Sequence, residues 1–163
     1  MKILSFQEAS DGFSYDPETG HLWRKKQAGR GRTDIPAGTL MRQKGYRQVW
    51  ISGKRYLAHR VAWLIHHGHW PELFIDHKNG VRDDNRIENL RLATREQNSQ
   101  NYHRVKVGQS GVQGVHWCSR TQMWKAGIQV NKKTIHLGRY ENIDQAKAAH
   151  MEAKRKYHEF AII

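Results

Sequence analysis

The sequence predicts an α+β fold made of two small modules. Three observations predict it. A strand, loop, strand and helix pattern occupies about residues 74–101, and three short strands followed by an amphipathic helix occupy residues 112–163. Between them, residues 105–111 are rich in glycine, serine and basic side chains, which is typical of a linker. We therefore expect domains at residues 1–104 and 112–163.

The first module should begin with a β-hairpin at residues 12–23, where apolar residues alternate on both sides of a turn that contains proline and glycine. Residues 24–44 are basic and glycine-rich and are predicted to form a loop. Strands are predicted at residues 46–51 and 55–57. The next apolar residues recur at helical spacing, and Gly68 would end that helix. Three tryptophans are expected in the core: Trp50, Trp63 and Trp70.

The segment with the clearest chemical pattern starts with a predicted strand at residues 75–77. A polar loop connects it to a second predicted strand at residues 89–92, and Thr94 is expected to begin a helix. This order can fold a carboxylate, an imidazole and several amides into one small cleft. Such a set is suited to the hydrolysis of a phosphodiester bond.

Oxygen donors in this segment favour magnesium, with Mn²⁺ as a substitute. Asp76 supplies a carboxylate and Asn98 a carbonyl oxygen, and water and a substrate phosphate would complete the shell. Adjacent strand residues point to opposite faces, so His77 would be left to take a proton from the attacking water. We expect Asn89, on the partner strand, to orient the imidazole through a hydrogen bond.

The second module is predicted to be a three-stranded antiparallel sheet with one packed helix. Its strands are expected at residues 112–117, 123–130 and 133–137. The helix should begin near Asp144, a good N-cap residue, and place an alanine-rich stripe against the sheet.

Charge limits the kinds of partner. The 163 residues include 28 Lys and Arg against 15 Asp and Glu, a formal charge of +13, and both modules are basic. A field of this sign attracts polyanions, and double-stranded DNA is the expected partner.

The chain has no apolar stretch long enough to span a membrane and no signal peptide, so we expect a cytoplasmic protein. Its single cysteine excludes an internal disulfide and a zinc site of paired cysteines. Nothing in the sequence indicates a protein partner or a dimer.

The ordered set of Asp76-His77, Asn85, Asn89 and Asn98 resembles the signature of HNH (His-Me finger) endonucleases, in particular the zinc-free phage type that includes homing endonucleases. Residues 56–63 and the hairpin at 15–23 are also similar to that family. The resemblance implies a ββα-metal fold and metal-dependent cutting of DNA. It places the metal-binding aspartate at Asp76, the general base at His77, the second-position asparagine at Asn89 and the helix-borne ligand at Asn98.

Residues 110–161 are similar to the plant ethylene-response-factor type of DNA-binding domain, on segments 114–117, 123–128, 135–140 and 144–150. That family lays its sheet in the major groove. The resemblance implies DNA contacts at matching or nearby sheet positions: Trp117, Arg120, Trp124, Lys125, Lys133 and His136. His116 stands where the family commonly has arginine. A core position for Trp117 and Trp124 is the alternative to DNA contact.

Two other functions remain open on the sequence alone. One is a non-catalytic DNA-binding regulator with a degenerate nuclease fold, and the other is a binder of RNA or ribosomes. The intact set of Asp76, His77, Asn89 and Asn98 favours the enzyme. The role of Asn85, the recognition sequence, and the choice between nicking and double-strand cutting are left undetermined.

Overall fold

The computed structural model describes residues 3–26, 31–100 and 109–160, and it confirms the α+β class. By their internal contacts the residues divide into two compact units, Met1–Thr94 and Arg95–Ile163. Most of the predicted linker at 105–111, and the last residue of the predicted 74–101 segment, lie outside the described residues. No helix among the described residues is both long and apolar enough to cross a membrane.

The first unit begins with a helix that the sequence analysis did not predict, α1 (Phe6–Gly12). Its signal is a capping box, in which the Ser5 side chain accepts from the Glu8 backbone N–H and the Glu8 carboxylate accepts from the Ser5 N–H. The predicted hairpin follows as β1 (Phe13–Tyr15) and β2 (Leu22–Arg24), which pair in antiparallel register.

The next element is a three-stranded antiparallel sheet of β3 (Thr39–Met41), β4 (Tyr46–Ile51) and β5 (Lys54–Leu57). Strand β3 lies inside the stretch that was predicted to be a loop. Helix α2 (Ala58–His67) follows and ends at Gly68, whose φ of 80° gives the left-handed conformation that suits glycine.

Apolar side chains from these elements form the main core of the first unit, including Phe13, Leu22, Val49, Val61 and Leu64. Of the three tryptophans predicted to be core residues, Trp63 is buried and Trp70 packs against the core. The prediction for Trp50 was wrong, because 54% of this residue is exposed. Its strand alternates, and Val49 and Ile51 occupy the buried face instead.

The chemical segment forms a second antiparallel pair, β6 (Phe74–His77) with β7 (Leu90–Ala93). A 3₁₀ turn at Ile87–Asn89 precedes β7, and α3 (Arg95–Gln100) follows it along the chain. Ile75 and Leu90 pack on Trp63 of α2 in a second, smaller core. This contact places the β6–β7 pair against the first turns of α2.

The second unit contains β8 (Val115–Cys118), β9 (Met123–Val130) and β10 (Lys133–Tyr140), with β9 in the centre of an antiparallel sheet. Helix α4 (Ile143–Tyr157) covers one face, and its Ala146 packs on Val115 and Ala126. The helix starts after Asn142, whose side chain accepts from the Asp144 N–H, so the N-cap is two residues earlier than predicted.

Gly20 is expected to be sensitive to substitution. Its φ is 74°, and an added Cβ would lie 2.6 Å from the carbonyl carbon of Asn85 and against the Arg86 nitrogen. We expect Gly20→Ala to lower the free energy of unfolding by about 3 kcal/mol, because strain and overlap add. The measurement is urea unfolding.

Gly53→Ala is the matched control, since Gly53 has a φ of 76° and nothing within 4 Å of an added Cβ. It should lose only the conformational part, about 1 kcal/mol. Equal losses in the two variants would contradict the close approach of the hairpin to residues 85 and 86.

Candidate active site

Asp76 and His77 are neighbours on β6, and both are buried, with 5% and 3% of their surfaces exposed. In the ladder Asp76 stands opposite Arg91 and His77 opposite Leu90. Successive strand residues point to opposite faces. The carboxylate therefore lies on the face of Arg91, while the imidazole lies on the face of the small core and α2.

The buried carboxylate of Asp76 is paired with Arg91. Arg91 donates from Nε and Nη2 to the same oxygen, Oδ2, over 2.9 and 2.8 Å. An unpaired carboxylate would be costly at this depth, so the guanidinium neutralises it in the absence of a metal. A cation bound by Asp76 would share this carboxylate with Arg91.

The donor set fits a hard divalent cation of the magnesium type. The described residues contain no group of three or more His, Cys, Asp or Glu side chains that could hold a metal. Magnesium does not need one, because it is usually held by one or two carboxylates together with water and substrate phosphate. Asp76 is a suitable carboxylate. Asn98 lies half-buried on α3, in the second compact unit, and its role as a ligand stays a prediction.

Asn85 fixes the protonation pattern of the His77 ring. Its Oδ1 lies 3.3 Å from His77 Nε2. Because an amide oxygen can only accept, Nε2 carries the hydrogen and the lone pair lies on Nδ1. The sequence alone leaves the role of Asn85 undetermined. The structure places it directly on the imidazole.

The pKa of His77 is lowered from its ordinary value, and burial of the ring is the main cause. The bond to Asn85 and the charge of Asp76 act in the opposite direction but do not overcome burial, and Arg82 lowers the pKa further. His77 is therefore neutral at pH 7, the form in which an imidazole can accept a proton.

Asn89 does not make the hydrogen bond to His77 that the sequence analysis expected. Its Oδ1 accepts from the Asn79 backbone N–H over 3.0 Å, and its Nδ2 donates to the Asp84 carbonyl over 2.7 Å. The reason is local, since Asn89 ends the 3₁₀ turn and its side chain reaches back across the loop between β6 and β7. Asn89 thus shapes this loop, and Asn85 contacts the imidazole.

The loop that carries Asn85 is tied to the rest of the first unit. The Tyr15 hydroxyl donates to the Asn85 carbonyl over 2.7 Å, and the Ile87 N–H donates to the Pro17 carbonyl over 3.1 Å. Arg47 of β4 forms a two-point ion pair with Asp83, through bonds of 2.9 and 2.8 Å. These contacts join the hairpin and the central sheet to the loop and hold Asn85 in place.

Two rings from other elements pack on His77. His59, the second residue of α2, has its ring centroid 5.1 Å from that of His77, with the planes at 85°. Tyr46 of β4 lies 5.2 Å from His59 and 5.9 Å from His77. Arg82 lies over the Tyr46 ring at 5.1 Å and is exposed. No sequence pattern predicted a role for Tyr46, His59 or Arg82, because only tertiary contacts bring them to His77.

On the C-terminal sheet, the predicted DNA-binding residues divide between two faces. Lys125 and His136 lie on the face opposite α4. Trp124 faces the helix and packs on the core, and Trp117 pairs with it across the strands at 5.3 Å between ring centroids. Lys133 pairs with Val130 and therefore lies on the face of the sheet that α4 covers. Arg120 is exposed in the turn between β8 and β9.

A bulge in β10 adds a residue that the sequence analysis missed. The register shifts between His136 and Gly138, so that His136 pairs with Gly127 and Arg139 with Lys125. Strict alternation would put residues 136 and 139 on opposite faces, but the bulge brings both to the face of Lys125. Arg139 is exposed there, with His116 opposite Lys125 on the other neighbouring strand.

Comparison with known proteins identifies the class of the central segment. The family model described as HNH endonuclease matches residues 56–100, which include His59, Asp76, His77 and Asn85. Residues 56–100 are thus similar to an HNH endonuclease domain. The chain also has a bacteriophage homologue, Protein 3.8 of Escherichia phage T7, which is 27% identical over 117 residues, 71% of this chain and 93% of the relative. No solved structure matches the chain.

Stability should fall in acid partly because of His59. Burial, followed by the charges of His77 and Arg60, lowers the pKa of His59 from 6.5 to about 3. Below pH 6.5 the unfolded chain gains a proton at His59 that the folded chain does not. The free energy of unfolding should therefore drop by up to about 1.4 kcal/mol per pH unit from this residue, down to the folded pKa.

Above pH 6.5 the residue is neutral in both states and contributes nothing to the pH dependence. His59→Phe should remove about one proton from the slope of stability against pH, measured by urea unfolding at a series of pH values. Trp63→Phe, a buried change on the same helix with no titrating group, should lower stability equally at each pH. A His59→Phe protein with the wild-type slope would contradict the assignment.

Proposed function

We propose that the protein is a metal-dependent DNA endonuclease that hydrolyses phosphodiester bonds. The observation that carries this proposal is the His77–Asn85 hydrogen bond beside the Asp76 carboxylate, within the segment that matches the HNH endonuclease model. A neutral imidazole with its lone pair on a defined nitrogen is suited to general-base catalysis. A degenerate, purely structural fold would not need that geometry.

In this proposal His77 Nδ1 takes a proton from the attacking water as the water oxygen bonds to phosphorus. The ester bond to the leaving oxygen breaks, and that oxygen takes up a proton. Asn85 keeps Nε2 protonated, so that Nδ1 stays available. Arg82, an exposed cation over Tyr46, is placed to attract the phosphate.

We propose Asp76 and Asn98 as the residues that hold the divalent metal, most simply Mg²⁺, with Mn²⁺ as a substitute. When bound, such an ion polarises the phosphate and neutralises charge on the leaving oxygen. Asn89 serves the site by holding the loop between β6 and β7, through its bonds to Asn79 and Asp84.

We propose further that the C-terminal sheet binds the DNA duplex through the face opposite α4. Lys125, His136, Arg139 and His116 line that face, and Arg120 lies in the adjoining turn. Phosphate contacts from such residues supply affinity, whereas base-edge contacts supply sequence preference. We propose that the protein is a phage homing-type enzyme, in which the C-terminal domain selects the DNA site and the HNH-like segment cuts it.

Cleavage should depend on His77. We expect His77→Ala to reduce the rate of plasmid nicking in Mg²⁺ by about 10²–10⁴-fold, the range for loss of a general base, with little change in DNA affinity. Rates are measured by gel under single-turnover conditions, and cut ends are mapped on both strands. EDTA should abolish cleavage by the wild-type protein.

His69→Ala is the matched control, because His69 is an exposed histidine outside the site. It should cleave at the wild-type rate. If wild type and His77→Ala cut equally, His77 is not the base. If neither cuts any of a broad panel of DNA while both bind it, the protein is a DNA-binding regulator and the proposed activity is wrong.

DNA affinity should depend on Lys125. We expect Lys125→Ala to weaken duplex binding about 3- to 10-fold and to reduce the slope of log affinity against log salt by about 0.9, the value for one lost phosphate contact. Fluorescence anisotropy with a labelled duplex at several salt concentrations measures both quantities. Lys156→Ala removes the same charge from α4 and should change neither. Equal effects would place the DNA elsewhere.

A further inference from the structure

His59 is a buried histidine, and one of its ring nitrogens is left unpaired by the described residues. It is 5% exposed, and its Nδ1 is buried with no hydrogen-bond partner among the described residues. Leaving a buried polar atom unpaired costs about 1–3 kcal/mol. A residue that lowers stability in this way and packs on the proposed general base is a candidate for a role in function.

The contacts of His59 are ring contacts. Its ring packs on the His77 ring at 5.1 Å with the planes at 85°, the edge-to-face arrangement that aromatic pairs prefer, and Tyr46 packs on both rings, at 5.2 Å from His59 and 5.9 Å from His77. Among the described residues His59 and His77 are joined by this ring contact and not by a hydrogen bond, so the part of His59 that acts on His77 is the ring.

Asn85 alone does not fix the His77 ring. A single 3.3 Å hydrogen bond at Nε2 sets one atom, and the ring can still turn about that contact. A perpendicular ring packed on it at 5.1 Å restricts this freedom. Asn85 therefore restricts which nitrogen carries the proton, and His59 with Tyr46 restricts where the other nitrogen points.

We propose that His59 is a positioning residue for the reaction, whose ring holds the imidazole of His77 so that Nδ1 points at the attacking water. This inference rests on the proposed function, and it adds a residue of α2 to the proposed catalytic residues of β6. Because His59 is buried, it should affect the chemical step and not the binding of DNA.

The test compares two variants, each of which keeps one property of the histidine side chain and removes another. His59→Phe keeps an aromatic ring and loses both nitrogens, whereas His59→Asn keeps a polar nitrogen and loses the ring. We expect His59→Asn to lower kcat about 10- to 100-fold with KM within about twofold, the scale of a misplaced catalytic group. His59→Phe should keep kcat within about threefold of the wild-type value.

Val61→Ala controls for lost stability. Val61 is fully buried on the same helix and belongs to the main core, whereas the β6–β7 pair that carries His77 packs on the smaller core. It should lower the free energy of unfolding by about 1–2 kcal/mol and leave kcat unchanged well below the melting temperature. If Val61→Ala loses as much kcat as His59→Asn, the effect is only destabilisation. If His59→Asn is active and His59→Phe is not, a nitrogen acts rather than the ring. Either result overturns the proposal.

A second readout needs neither DNA nor metal. In ¹⁵N NMR of the free protein, the His77 ring should be a single tautomer with the hydrogen on Nε2 in the wild type and in His59→Phe. In His59→Asn the ring should exchange between orientations about the Asn85 contact, which broadens the His77 ring signals while the hydrogen stays on Nε2. An unchanged His77 spectrum in His59→Asn would refute the positioning role. Absence of cleavage in every protein, with this spectral difference present, would instead count against the proposed activity alone.

Discussion

The close approach of the hairpin turn to the β6–β7 loop is the constraint on which the site depends. Gly20 lies so near the backbone of Asn85 and Arg86 that no side chain fits between them. This contact lets the Tyr15 hydroxyl reach the Asn85 carbonyl. Asn85 is then held with its amide oxygen at His77, and the tautomer of the imidazole follows from that one contact. An element more than fifty residues away in sequence therefore sets the tautomer of the His77 ring.

Burial penalises the charged form of both neighbouring residues of β6, and the structure compensates for it in two ways. It keeps His77 neutral, because the charged imidazolium would lose its hydration. Asp76 is buried as deeply, but Arg91 across the ladder neutralises it. A neutral base and a compensated carboxylate can thus lie next to each other on one strand, on opposite faces.

Some features could be predicted because they depend on local sequence. The Asp76-His77 pair, the order of strand, loop, strand and helix, and the end of α2 at Gly68 follow from short-range patterns. Helix α1 was missed although its capping box, Ser5 and Glu8, is visible in the sequence. Strand β3 has no such signal, because its three residues form a strand only where β4 is available to pair with them. Trp50 was misplaced because its type suggests burial, while the alternation of β4 decides which face it takes.

By itself the sequence determined which chemical groups this protein has and which of them share a strand or a helix. The reason is that side chains change faces with a period of 2.0 residues in a strand and 3.6 residues in a helix, and each period acts within a single element. Only the tertiary structure decided which groups meet. It selected Asn85 rather than Asn89 as the partner of His77, and it brought His59 from α2 to the same ring. It also placed Arg139 beside Lys125, since one extra residue in β10 reverses the alternation. These outcomes depend on contacts between distant segments, and no local pattern carries that information.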